Sequence, residues 1–343
     1  MTVWLSSPDQ EPDAESASED VGSFARPPSS VNEPSPLDEW RNGLRLHKAW
    51  LAGKEGGRRF EPAGLLIEGL REPMAQLERS LFRNWTAPAA DLKQVRLQGA
   101  ELEECSIPFA NLSSGDLTRS LWIRCNLNDA SLSSASLCEA VFQTTTFTNA
   151  RAPGSRWMES RLSRCEFSGA ALPQAAFHQA VLLECRFADA NLEETLWYHA
   201  RLQFSRLNGV NLRSANFTRA VVESTEIAHC DATGSKWSQA NLSGTLMLKS
   251  LFRNSDFRGA HLRGARMAGS TFDGARFQGA VTFGADFRGA NLAGAAGLTP
   301  RQLMQARTDQ ETILPNGSRG PYLLYSGAEK TRPGAAIPAA GDD

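Results

Sequence analysis

The sequence predicts an all-β solenoid, a rod assembled from one short side repeated many times. An apolar residue returns every five positions from Leu92 to Leu292, with no insertion or deletion across 41 positions. At 38 of them the residue is Leu, Ile, Val, Met, Phe or Trp, the exceptions being Ala152, Ala232 and Thr282. Two residues before each of these centres stands Ala, Ser, Thr, Cys, Val or Gly, at all 41 positions. Residues 91–290 carry 40 charged side chains, and none falls on a centre or on the small slot before it.

The period itself excludes the ordinary elements. An α-helix advances about 100° per residue, so five residues leave a drift of roughly 140° and no stripe forms. A plain strand alternates in twos, so a period of five would turn its apolar residues inside out at each repeat. Residues two apart on an extended segment point the same way. The centre and the small residue therefore point inward together, and the phase is reset by a corner after every five. Fixed-period repetition of this kind is the signature of a solenoid. The small slot is required where neighbouring walls converge and leave no volume for a larger side chain.

The fives "ADLKQ", "ANLSS", "ANLEE", "ANLSG" and "ANLAG" resemble the pentapeptide-repeat family, over about two-thirds of the chain. The resemblance implies a right-handed quadrilateral β-helix with four fives per coil. On that reading the 41 positions make about ten coils. At strand spacing the rod is roughly 50 Å long. Residues 20 apart then stack, and one inner wall reads Trp157, Phe177, Trp197, Phe217, Trp237, Phe257, Phe277. A second holds Phe147, Phe167 and Phe187. Core packing is the reading of both ladders. Each large buried side chain contributes about 1.5–3 kcal/mol before entropy is subtracted.

The ends divide the chain further. Residues 1–36 are rich in Ser, Pro, Asp and Glu and read as a disordered leader. Residues 37–74 read as a helical and degenerate amino-terminal cap. Its helix places Trp40, Leu44 and Leu51 on one side and ends at Gly53 or Gly56. Repeats occupy 75–297, with a bulge expected at Trp85, which is too large for its small slot. Residues 298–315 read as a carboxyl-terminal capping helix and turn, with Thr299 as N-cap, Pro300 in the first turn and Gln302 as the capping-box partner. Leu303, Met304 and Ala306 supply its apolar patch, and 316–343 form a flexible tail. Such caps cover the open strand edges of a parallel solenoid.

Little in the sequence points to catalysis. A filled interior with convex walls offers no concave site with converging polar groups. His178, His199, His229 and His261 fall on outward positions, the first two near one corner on neighbouring coils, and His47 lies in the lead-in helix. They read as surface histidines. Cys105, Cys125, Cys165, Cys185 and Cys230 occupy small inward slots as core thiols, and Cys138 alone is placed outward. No phosphate-binding loop, dinucleotide fingerprint or zinc motif is present. The expectation is a non-enzyme with no cofactor and no metal.

Net charge is −2, there is no apolar run long enough to span a membrane, and six cysteines form no disulfide framework. A cytoplasmic protein fits these features, and the leader is compatible with secretion by a non-classical bacterial route. The function expected is a protein-binding scaffold, with a homodimer also allowed and nucleic acid not expected. The alternative implied by one branch of the family is a DNA-mimicking gyrase binder. DNA carries a charge about every 1.7 Å. The four walls here sum to −1, +3, 0 and 0, which disfavours mimicry. Residues 91–200 hold 13 acids and 9 bases, while 201–290 hold 6 acids and 12 bases. Arg253, Arg258 and Arg263 ring this basic end and are the candidate partner-binding residues.

Overall fold

The computed structural model describes residues 35–331. The expected leader, apart from Ser35 and Pro36, and the final stretch of the expected tail, 332–343, lie outside the described residues.

The described chain is a parallel β-solenoid with a helix at each end. Its eight-stranded sheet runs from Leu81–Arg83 to Val221–Glu223, and a four-stranded sheet holds Arg186–Ala188, Arg206–Asn208, Glu226–Ala228 and Leu246–Leu248. Each strand pairs in parallel with the residue 20 positions on, as Leu102 pairs with Trp122 and Phe187 with Leu207. Isolated parallel bridges continue the same offset in four columns, through Thr86–Ser106, Asp91–Asn111, Arg96–Asp116 and Val221–Asn241. The four columns are the four walls, named below by Leu81, Thr86, Asp91 and Arg96.

Backbone polar groups are satisfied by a scheme that repeats with the five. Asp91 N–H donates to Leu70 O in the coil before, while Leu92 N–H and Gln94 N–H donate to Asn111 O and Ser113 O in the coil after. Val95 N–H closes the corner on Leu92 O at 3.0 Å. The residue two beyond each centre takes positive φ, as at Gln94 (59°). That conformation disfavours bulky side chains and turns the chain into the next wall.

The core is the predicted one. Every centre and every small slot named above is buried where it carries an apolar side chain. The long ladder forms as read. Phe177 and Trp197 lie 4.1 Å apart at 2°, and Phe217 and Trp237 lie 4.2 Å apart at 1°. Phe147, Phe167 and Phe187 stack at 4.8 and 4.7 Å. The three exceptional centres are buried as well. Thr282 donates its hydroxyl to Gln302 O at 2.8 Å, so a polar centre serves the carboxyl-terminal cap.

The amino-terminal end differs from expectation in two ways. The ladder begins before residue 75, since Ala63, Leu66 and Arg71 already bridge the following coil. Trp85 causes no bulge, because Arg83 and Thr86 on either side keep the 20-residue register. The physical reason is an exchange of volumes. Trp85 fills the slot that is elsewhere small, and its centre, Ala87, is small instead. Phe60 and Leu65 likewise place bulk in the small slot. Helix α1, Pro36–Leu51, makes this workable by closing the rod from below. Its Trp40 is fully buried, stacks on Trp85 at 5.3 Å and meets Phe60 edge-on at 5.2 Å. Ser35 caps the helix by accepting from Asp38 N–H, and Gly53 at φ 65° turns the chain away after Ala52.

At the other end helix α2, Pro300–Gln305, carries the full Thr299–Gln302 capping box. The Gln302 side chain also donates to Ala280 O at 2.7 Å and Phe277 O at 3.3 Å, which satisfies edge carbonyls of the last coil. Leu303 is buried, but Met304 is half exposed and contributes no patch to the cap. Residues 316–331 pack against the cap rather than trailing from it. Asn316 N–H donates to Ala328 O, and Tyr322 is buried with its hydroxyl on Glu329. Leu323, Leu324 and Tyr325 of the same turn face solvent.

Candidate functional site

Among the described residues the interior of the rod is filled, so another molecule meets the outward positions of its walls and corners or the exposed faces of its caps. The histidines divide here. His199, His229 and His261 are exposed and His178 is partly so, but His47 is buried. Its Nδ1 accepts from Phe60 N–H at 3.0 Å, which leaves Nε2–H to donate to Glu78 O at 3.1 Å. Both ring nitrogens are thus used to fasten α1 to the first coils, and burial pushes the imidazole below its ordinary range. The surface reading does not hold for this residue. Helical spacing from Trp40 (positions 40, 44, 47) was the signal that could have placed it inward.

The five slot cysteines are buried, and Cys138 is partly exposed. Cys105 and Cys125 each point their thiols at backbone carbonyls, Cys125 at Leu102 O at 3.3 Å. Burial raises the Cys230 thiol to about 12, so it is not a thiolate at neutral pH. Cys185, a free thiol, is raised well above the ordinary range by a side-chain hydrogen bond with the free thiol of Cys165 and by burial. Among the described residues no group of three or more His, Cys, Asp or Glu is placed to hold a metal ion. No helix among them is long and apolar enough to cross a membrane.

Arg253, Arg258 and Arg263 are all exposed, on three successive walls. They do not converge. Arg258 is held by Asp256 through paired bonds of 2.7–3.1 Å, and Arg263 lies over the Phe283 ring at 5.3 Å. No flat partner could touch all three at once.

A different grouping emerges on the Leu81 wall. Its outward positions hold Val181, Leu183, Val281 and Phe283, exposed by 36, 37, 43 and 55%. Leu121, Ile123, Val141 and Val221 on the same wall are partly exposed. The corner beside this wall carries Phe204, 61% exposed at φ 52°. Around that corner opens a groove of about 390 Å³ lined by Arg164, Arg186, Arg206, Glu166, Glu184 and Phe204. No position within the five distinguishes this wall, and the grouping becomes visible only when residues are sorted by twenties.

Comparison with known proteins bears on the fold. The chain matches the model of a pentapeptide repeat region over 160–237 and that of pentapeptide repeats over 89–121, 125–156 and 250–281. No curated protein matches it. Among solved structures it is similar to HetL from the cyanobacterium Nostoc sp. strain PCC 7120, a pentapeptide repeat protein involved in heterocyst differentiation regulation. That match has 22% identity over 80% of this chain and 97% of that one, with a TM-score of 0.28. It is also similar to full-length QnrB1, a plasmid-mediated fluoroquinolone resistance protein, at 17% identity over 73% and 93% of the two chains, TM-score 0.27. A pentapeptide repeat protein of the Arabidopsis thaliana thylakoid lumen matches at 23% identity over 31% and 60%, TM-score 0.18. With its five-residue period matched by the family models over half its length and its four-walled ladder in place, the chain belongs to the pentapeptide-repeat family.

Proposed function

We propose that the rod is a protein-binding scaffold whose interaction face is the Leu81 wall. The observation that carries this reading is two exposed apolar pairs on a single wall, Val181 with Leu183 beside Phe204, and Val281 with Phe283 five coils further on. Exposed apolar pairs on a water-facing sheet are retained at a cost in solubility, and such patches rimmed by polar residues, here Arg201 and Asn241 among others, mark interaction sites. Arg263 belongs to the same wall and frames its basic end, whereas Arg253 and Arg258 lie around the corners. Charge reversal at Arg263 should therefore weaken binding more than reversal at either of the others.

A photo-crosslinking residue at Leu183, expressed in the native host, tests the reading. It should yield one defined protein adduct that a second substitution, Val181→Glu, removes. The same residue placed at Ser133 on the Asp91 wall should give no adduct. Equal adducts from both walls would overturn the assignment of the face. The gyrase-decoy alternative lacks support in the charge pattern, and purified protein at micromolar concentration should leave gyrase supercoiling unchanged.

A further inference from the structure

We propose that the groove beside Phe204 binds a short acidic peptide segment carrying an aromatic side chain, with a carboxylate on Arg186 and the aromatic ring on Phe204. The inference rests on the scaffold reading only in taking the ligand to be a stretch of a protein.

The first observation is an uncompensated cation. Arg186 and Arg206 are register partners on adjacent strands, like charges placed directly side by side, which is a destabilising arrangement. Arg206 reaches Glu226 at 3.9 Å and Arg164 reaches Glu184 at 3.5 Å. Among the described residues no carboxylate comes within 4.0 Å of the Arg186 guanidinium. Its other rung neighbour, Glu166, instead accepts from the backbone N–H and hydroxyl of Ser168.

The second observation is Phe204. Its corner column reads Arg164, Glu184, Phe204, Ser224, all at positive φ, a conformation that bulky residues avoid. A phenyl ring there is doubly unfavourable, being 61% exposed as well. Leu183 and Val181 continue its apolar surface onto the Leu81 wall. The groove thus offers a free guanidinium and an open aromatic face within about 390 Å³, room for two or three side chains rather than a domain.

Single-stranded nucleic acid is the competing occupant, since aromatic and arginine side chains also serve it. The carboxylates of Glu166 and Glu184 in the groove disfavour a phosphate track. A peptide carboxylate needs only one cation.

The test uses the full chain and three blocked tripeptides, Glu-Trp-Glu, Gln-Trp-Gln and Lys-Trp-Lys, with affinities from ligand-observed NMR. The acidic peptide should bind about fivefold more tightly than the neutral one, and the basic one least, as befits one charge-assisted contact. Arg186→Gln should erase that preference while sparing the neutral peptide. Phe204→Ser should weaken all three about fivefold, the loss of one aromatic contact. Both residues are exposed, so unchanged melting curves show that the variants fold. Arg253→Gln, on another wall, should change nothing. A charge preference that survives Arg186→Gln, wild-type binding by Phe204→Ser, or no binding of any peptide at millimolar concentration overturns the proposal. So does displacement of the acidic peptide by a short oligodeoxythymidylate at lower concentration. Peptide binding without a Leu183 adduct would leave the groove standing and remove the scaffold reading.

Discussion

The indole Nε1–H of Trp157 donates to Ser155 Oγ at 2.7 Å, and that hydroxyl donates in turn to Ala152 O at 2.7 Å. The same relay recurs at Trp122 with Ser120, at Trp197 with Thr195 and at Trp237 with Ser235. A tryptophan centre brings a polar N–H into a dry interior, and the slot two residues earlier answers it with a hydroxyl. Trp85, preceded at that spacing by Arg83, has no such acceptor, and its Nε1 is buried without a partner. Ser155→Ala should therefore destabilise the rod by about 1–3 kcal/mol, the penalty of an orphaned buried donor. Ser155→Thr keeps the oxygen and should cost far less. Urea unfolding of the two variants checks this, and equal midpoints would show that the relay is not what the hydroxyl is for.

The small slots make a second, purely steric claim. Ala175 and Ala190 are buried at converging corners, and Leu192 is a buried centre. Ala175→Leu or Ala190→Leu overfills the corner at about 1–3 kcal/mol each, while Leu192→Met conserves volume and costs less. Thermal unfolding that ranks Leu192→Met level with the other two would refute the inward assignment of the slots.

These two positions also mark where sequence reasoning succeeded and where it stopped. The slot and the centre were legible because the 20-residue register repeats without interruption, so one rule serves every coil. Trp157, Phe177 and Trp197 could be stacked on paper and do stack. The rule failed at Trp85, where slot and centre exchange their volumes, and at Phe60 and Leu65, which carry bulk in the slot, Leu65 beside a full-sized centre in Ile67. A rule written position by position cannot see an exchange between the two, nor the extra room at the capped end. His47 was misplaced for a related reason, because the helix that holds it lies outside the repeat. The Leu81 wall and its groove were hidden because outward residues carry no fixed pattern. Their proximity is set by neighbours 20 apart rather than by neighbours in sequence.

His47 gives the molecule a pH dependence whose sign follows from its bonds. Nδ1 must stay unprotonated to accept from Phe60 N–H, and burial lowers the folded-state pKa below the ordinary value near 6.5. Between the lowered folded pKa and the unfolded one, the unfolded chain binds the extra proton. The contribution is therefore fully present above about pH 6.5 and is lost as pH falls from there through the folded pKa. His47→Gln should show a shallower loss of melting temperature than wild type between neutral and mildly acidic pH. Parallel slopes would mean that the imidazole titrates freely.

Gly43 supplies the test in which a usual preference should reverse. It sits within helix α1, where replacing glycine by alanine normally gains about 1 kcal/mol. Here a Cβ at residue 43 would lie 2.1 Å from Phe60 Cε2 and 2.5 Å from Cδ2. The ring has little room to retreat, because Trp40 and Phe82 press on it at 5.2 and 5.7 Å between centroids. Gly43→Ala should therefore destabilise, by about 1–3 kcal/mol of overpacking less the helix gain. Adding Phe60→Leu shortens the opposing side chain, so the alanine should cost less in that background than in wild type. Chemical unfolding of the two single variants and the double variant closes the cycle. A stabilised Gly43→Ala would mean that α1 does not seat against the first coil as described, and an additive double variant would place the two residues out of contact.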